Sequence, residues 1–212
     1  MHSIYLITKS MFSNYRQNIL PTMARTSPVI FAIMLLKLCI IQPSFNTFYV
    51  FIMYFIVMFS NFFLKYLIFK PLYKLFDTSK LSFLGLGSRP AGANSCKFTL
   101  DKKIATSFGM PSGHSQIAWT VSTYIICKLM YNMLNNKYDD QDTIIKVRNY
   151  IWFSVSFIFS IVFSIYISYS RVYIEGCHTI QQVIVGGLIG IVSGFLIYYF
   201  EKDAVNLMSK IY

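Results

Sequence analysis

The sequence predicts an all-α, integral-membrane bundle of about five transmembrane helices. Three observations carry that reading. Hydrophobic residues make up 55% of the 212 positions and charged residues only 13%, about half the charge of an average soluble domain. The charges avoid residues 38–64, 104–127, 149–170 and 176–200, each stretch long enough to hold a span of about 20 residues. Within the last stretch Gly186, Gly190 and Gly194 recur every four residues. That spacing places them on one helix face and lets a second backbone come close.

The elements follow in order. Residues 1–27 are a mixed, polar N-terminal segment bearing Lys9, Arg16 and Arg25. The apolar run that begins at Pro28 contains Lys37 and lacks a small-residue cleavage pattern, so it reads as a membrane helix over 28–42 rather than a removed leader. Pro43, with Ser44 and Asn46 behind it, breaks the run and starts a second helix over 46–68. The connector 69–111 is long and polar and holds Gly85, Gly87, Gly92 and Gly109 with Pro71, Pro90 and Pro111. A connector of that length in a compact domain is usually functional. Further helices are expected over 112–134, 149–169 and 178–200, with a charge-balanced turn at 135–148 and a C-terminal tail at 201–212. Residues 28–200 thus form one membrane-embedded domain.

The formal net charge is +11. In a soluble chain that surplus would suggest nucleic acid. Here it sits outside the apolar runs, so the partners it fits are a membrane and an anionic or phosphate group, not nucleic acid. A usual soluble enzyme and a disordered tail are excluded on the same composition. Five spans place the N-terminal segment, the connector 69–111 and the short segment 170–177 on one side of the membrane. Residues 65–111 alone contribute +6 to that side, and the other side sums to zero. The bias of Lys and Arg toward the cytoplasm assigns the charged face to the cytoplasmic side. Lys37 and Lys128 are solitary within spans and read as snorkelling or paired residues.

Cys39, Cys96, Cys127 and Cys177 contain no C-x-x-C pair, which gives a zinc or redox site little support. Cys39 and Cys127 read as core residues. A Cys96–Cys177 disulfide is ranked below two free thiols.

Three polar clusters fall on the charged face. The first is Gly85-Leu86-Gly87-Ser88-Arg89-Pro90. The second runs from Gly109 through Met110-Pro111-Ser112-Gly113-His114-Ser115-Gln116. The third is Tyr169-Ser170-Arg171-Val172-Tyr173, followed by His178, Thr179 and Gln182. Ser112 suits a helix N-cap, and the N–H groups of Gly113 and His114 then lie free at the positive end of a helix, where an anion binds. Arg171 offers a planar fork to phosphate oxygens, and a neutral His178 nitrogen can attack phosphorus. Taken singly, each cluster is equally an ordinary cap, snorkelling arginine or basic flank. Two arginines and two of the three histidines converging on one face match the inventory of phosphoryl transfer.

These residues resemble the signature of the type 2 phosphatidic acid phosphatase superfamily, K-x6-R-P, P-S-G-H and S-R-x5-H-x3-D, over about residues 46–200. Ser115, Gln116 and Trp119, with Ser168-Tyr169-Ser170-Arg171-Val172-Tyr173 and His178-Thr179, are similar to dolichyl diphosphate phosphatases and their viral relatives. The resemblance implies a lipid (pyro)phosphatase acting through a phosphohistidine, most readily on a polyprenyl or dolichyl diphosphate. It implies His178 as nucleophile and His114 as acid for the leaving group. Arg89, Arg171, Ser112 and the Gly113 N–H would bind phosphate, with no metal and no cofactor. It implies a multi-pass protein of the endoplasmic reticulum or another endomembrane, with the site on the lumenal side, against the charge bias.

Three positions depart from the pattern. Ser82 stands where the first lysine belongs, and Lys65 is the preferred substitute with Lys80 the fallback. Six residues separate Arg171 from His178 instead of five, and Gly176 is expected to absorb the extra one as a bulge. Gln182 replaces the orienting Asp and can fix a histidine tautomer without adding charge. Glu175 is weighed as a source of that charge and set aside. The alternatives are a broad lipid monophosphate phosphatase of the phosphatidic acid type, a catalytically silent lipid-binding membrane protein and, third, a transporter. Oligomeric state, lipid chain length and host are not legible.

Overall fold

The computed structural model of the chain describes residues 19–75, 85, 87–93, 104–105, 107–135 and 143–211. Lys80 and Cys96 lie outside the described residues.

Helix α1 spans Leu20–Ile41 and carries Pro28 inside it. It starts eight residues before the proline expected to open it, so the end of the polar N-terminal segment is helical. Helix α2 spans Phe45–Phe63 and passes through a π-helical stretch, Leu64–Phe69, into α3, Lys70–Leu75. The break between α1 and α2 falls at Pro43, as expected. A capping box closes the start of α2: Thr47 N–H donates to Ser44 Oγ, and Ser44 N–H donates back to Thr47 Oγ1.

Helix α4 spans Gly113–Leu134. Helix α5 spans Thr143–Tyr169 and widens into a second π-helical stretch, Ser170–Ile174. Helix α6 spans Ile180–Ile211, so the expected C-terminal tail continues the last helix.

Among the described residues, four of five rods are long and apolar enough to cross a membrane: Leu20–Ile41, Phe45–Leu75, Thr143–Ile174 and Ile180–Lys210. They present large apolar side chains outward, among them Ile40, Phe59, Trp152 and Phe159. A lipid-facing surface requires this, because hydrocarbon offers no partner to polar groups.

The fifth rod, α4, is enclosed. It packs most extensively on α6 and next on α5, with further contacts to α1 and α2. Its residues Ser115, Gln116, Thr120 and Ser122 are buried and hydrogen-bonded. Ser122 Oγ donates to Ser160 O at 2.8 Å, and Ser164 Oγ donates to Ala118 O at 3.1 Å. Asn61 Nδ2 donates to Gln116 Oε1 at 2.7 Å. Interhelical bonds of this kind hold helices together where burial from water supplies no drive.

The three spaced glycines explain the α4–α6 contact. A Cβ at Gly186, Gly190 or Gly194 would run into the backbone carbonyls of Ser112, Gln116 and Thr120, respectively. The two helices share a four-residue register, and any side chain at these glycines would push them apart. That contact sets the start of α4, with His114, beside the start of α6, with His178.

Candidate active site

The nucleophile candidate is held by a short relay. Gln182 Nε2 donates to Ser88 O at 2.7 Å, so its carbonyl Oε1 faces His178 Nδ1 at 2.8 Å. A carbonyl only accepts, so Nδ1 carries the proton and the Nε2 lone pair is left to face Arg89. Arg89 Nη1 lies 3.3 Å from that Nε2 and donates to Cys177 O at 2.9 Å. Its Nε donates to Ser107 O and Oγ, both at 3.2 Å. Burial, reinforced by the charges of Arg89 and Lys65, holds the His178 imidazole well below its ordinary value; the Gln182 bond opposes this and Arg171 adds to it. His178 is therefore neutral at physiological pH.

The extra residue between Arg171 and His178 is absorbed in two places. In the π-helical stretch Glu175 N–H reaches back five residues to Ser170 O at 2.8 Å. Gly176 then takes φ +61, and Cys177 and His178 N–H both bond Arg171 O at 3.1 and 3.2 Å. The bulge expected at Gly176 is present, and the widened helical turn before it shares the load. Arg171 is fully buried.

Glu175, set aside on sequence, is an ion-pair hub. Its carboxylate accepts from Arg171 Nη1 at 3.0 Å, from Arg25 Nε at 2.8 Å and from Ser170 Oγ at 3.1 Å. Arg25 comes from the N-terminal segment, in which the sequence shows no motif. The only signals available were an arginine three residues before a helix proline and a glutamate four residues after an arginine.

Ser112 stands at the N-cap of α4, yet its side chain makes no capping bond. Among the described residues the fully buried Ser112 Oγ has no hydrogen-bond partner. The expected cap is thus a hydroxyl left over at the foot of the pocket. Gly113 follows it, and a Cβ there would meet Asn61 Oδ1 at 2.9 Å. His114 Nε2 lies 3.1 Å from Arg25 O.

Lys65 opens the π-helical stretch of the second rod, where Lys70 N–H donates to Lys65 O five residues back. Its charge acts on Arg89, on His178 and on His114. The structure therefore gathers Lys65, Arg89, Ser112, Gly113, His114, Arg171, His178 and Gln182 at one end of the bundle. The fallback Lys80 lies outside the described residues.

Cys177 is disulfide-bonded, against the ranking made on sequence, while Cys39 and Cys127 are free thiols. Two cysteines far apart in sequence give no local sign of pairing; only the folded turn beside His178 does. Lys128, solitary in sequence, pairs with Glu201 at 2.7 Å.

An apolar cavity of about 380 Å³ lies between α4, α5 and α6, lined by Trp119, Ile165, Val172, Ile180, Val183 and Ile191 among others.

A family model described as PAP2 superfamily matches residues 46–205, well over half of the chain. The protein named dolichyldiphosphatase 1 from Homo sapiens is 29% identical over 103 residues, which cover 49% of this chain and 40% of that protein. The proteins of the same name from Rhinolophus ferrumequinum and Callithrix jacchus match with the same identity and coverage. The chain thus spans about two fifths of the length of these relatives. No solved structure matches it.

Proposed function

The chain belongs to the PAP2 superfamily, and on that premise we propose that it is a multi-pass membrane lipid phosphatase whose substrate is a polyprenyl or dolichyl diphosphate. The observation that carries the reading is the His178 Nε2 lone pair facing Arg89, in a pocket with surplus positive charge and an unused Ser112 hydroxyl. In the proposed reaction Nε2 attacks the terminal phosphorus. The bond to the bridging oxygen breaks, and His114, doubly protonated once the anionic diphosphate is bound, gives that oxygen its Nδ1 proton and returns to the neutral ring. Lipid monophosphate leaves and a phosphohistidine remains. Water then attacks that phosphorus, losing its proton to His114, and inorganic phosphate departs with His178 restored. Arg89, Arg171, Lys65, Ser112 Oγ and the Gly113 N–H neutralise the oxygens on which charge builds.

The apolar cavity beside α6, the helix that follows His178, supports a lipid substrate, since it offers an apolar tail a place to lie. The disulfide at Cys177 supports an oxidising, lumenal setting for this face, in the endoplasmic reticulum or another endomembrane. It weighs against the cytoplasmic assignment from charge, because the cations of this face are counted as topology signals although they serve the pocket.

The test is phosphate release by the purified protein from a prenyl diphosphate and, side by side, from phosphatidate. Faster release from the diphosphate, abolished in His178→Ala, is expected. Faster release from phosphatidate would assign the broad monophosphatase instead. Release undiminished in His178→Ala would overturn the mechanism.

A further inference from the structure

We propose that the turn from Ala24 to Pro28 in the first helix is a positioning element of the active site, working through Arg171, Glu175 and His114. Nothing in the family signature lies in this segment. The physical origin is Pro28. In a helix the N–H of residue 28 would bond the carbonyl of Ala24, and proline has no N–H. The Ala24 carbonyl is thereby released. It accepts from Arg171 Nη2 at 2.8 Å, and from Ser27 Oγ at 2.9 Å.

One residue on, the Arg25 carbonyl lies 3.1 Å from His114 Nε2. A carbonyl only accepts, so this contact fixes the neutral ring as the Nε2–H tautomer. Any proton that His114 gives or takes must then travel through Nδ1. The two histidines are oriented in mirror fashion: a side-chain carbonyl holds Nδ1–H of His178, and a main-chain carbonyl holds Nε2–H of His114.

The Arg25 side chain completes the element. It binds the same Glu175 Oε2 as Arg171 does, at 2.8 Å against 3.0 Å. Glu175 is buried and belongs to the segment that is one residue longer than the family pattern. The lengthened turn therefore brings in a carboxylate, and Arg25 keeps that carboxylate from neutralising Arg171 alone. Ala24 is fully buried and packs with Ala118 and Ile167, which seats the turn against α4 and α5.

The consequence for turnover rests on the phosphatase reading; the tautomer does not. Pro28→Ala separates this role from a structural one. Alanine restores the N–H that competes for the Ala24 carbonyl and is a better helix residue, so the thermal midpoint should hold or rise. Turnover should nevertheless fall about tenfold, the scale of one weakened bond to a charged group. Arg25→Ala should lower kcat more than it raises KM, with partial rescue by Arg25→Lys. Independently of activity, nitrogen-15 histidine spectra of the full chain in detergent should show His114 as the Nε2–H tautomer. The chain has only three histidines, and His114→Gln assigns the resonance. A wild-type kcat in Pro28→Ala, or an Nδ1–H tautomer at His114 in the unmodified protein, would overturn the proposal. A protein inactive on every lipid phosphate would instead sink the phosphatase reading and leave the tautomer to decide this one.

Discussion

Both ends of the helix bundle bury charge, and they do so in opposite ways. At one end Arg25, Lys65, Arg89 and Arg171 gather around two histidines, with Glu175 as the carboxylate among them. At the other, about 22 Å further along α4 at 1.5 Å per residue, Lys128 meets Glu201 one to one at 2.7 Å. The Tyr124 hydroxyl donates to the second oxygen of the same carboxylate at 3.2 Å. The distal pair is balanced, with Glu201 buried and Lys128 partly exposed, as a carboxylate taken from water must be paired to be tolerated. Among the described residues the proximal cluster is left short of negative charge. Such an excess is costly in an empty pocket and becomes favourable when an anion enters. Local charge balance, more than burial, separates a structural ion pair from a binding site in this molecule.

That contrast can be broken by substitution. The largest effect is expected at Arg89, whose removal takes away the donor beside the His178 Nε2: Arg89→Ala should lower kcat about 10²–10³-fold in a phosphate-release assay. An unimpaired variant would mean that the proximal excess does not serve the reaction.

A smaller effect is expected from altering charge balance without removing a cation. His178 must be neutral to attack, and its surroundings hold it well below its ordinary value. The acid limb of the kcat/KM profile should therefore lie below pH 6.5. Gln182→Glu would place a negative charge on Nδ1–H, favour the imidazolium and move that limb upward by about 1 unit. An unmoved limb would show that His178 is not the group that titrates.

The smallest effect on turnover is expected at the distal end. Glu201→Gln strands a partly exposed Lys128 and should cost about 1–2 kcal/mol of stability, discounted from a fully buried pair. Its activity should stay within about twofold. The double variant Lys128→Met/Glu201→Gln should regain much of the thermal midpoint. A large loss of turnover in either would show that the two ends are coupled.

Much of this was legible in sequence. Uncharged runs of span length marked the helices, Pro43 marked the first turn, and the four-residue glycine spacing marked a close backbone contact on α6, whose partner α4 only the structure named. Arg89, Ser112, His114, Arg171, His178 and Gln182 were found because their motif is local in sequence. The replacement for the missing lysine was harder, because Lys65 reaches the pocket through a π-helical stretch that hydrophobic periodicity does not reveal. Arg25 was missed altogether. Its partner Glu175 lies 150 residues away, and no pattern within the N-terminal segment distinguishes it from a basic flank.

The sequence by itself determined what depends on neighbours along the chain: which segments are apolar enough for lipid, where Pro43 breaks a helix, and which local motifs mark a candidate phosphate site. Tertiary structure alone decided what depends on neighbours in space. It left the Ser112 hydroxyl unpaired instead of capping, placed Cys177 in a disulfide and gave Glu175 two arginines. It also turned a main-chain carbonyl freed by Pro28 toward Arg171. Hydrogen bonds and ion pairs act over about 3 Å, and only the packing of separate helices brings such distant groups that close.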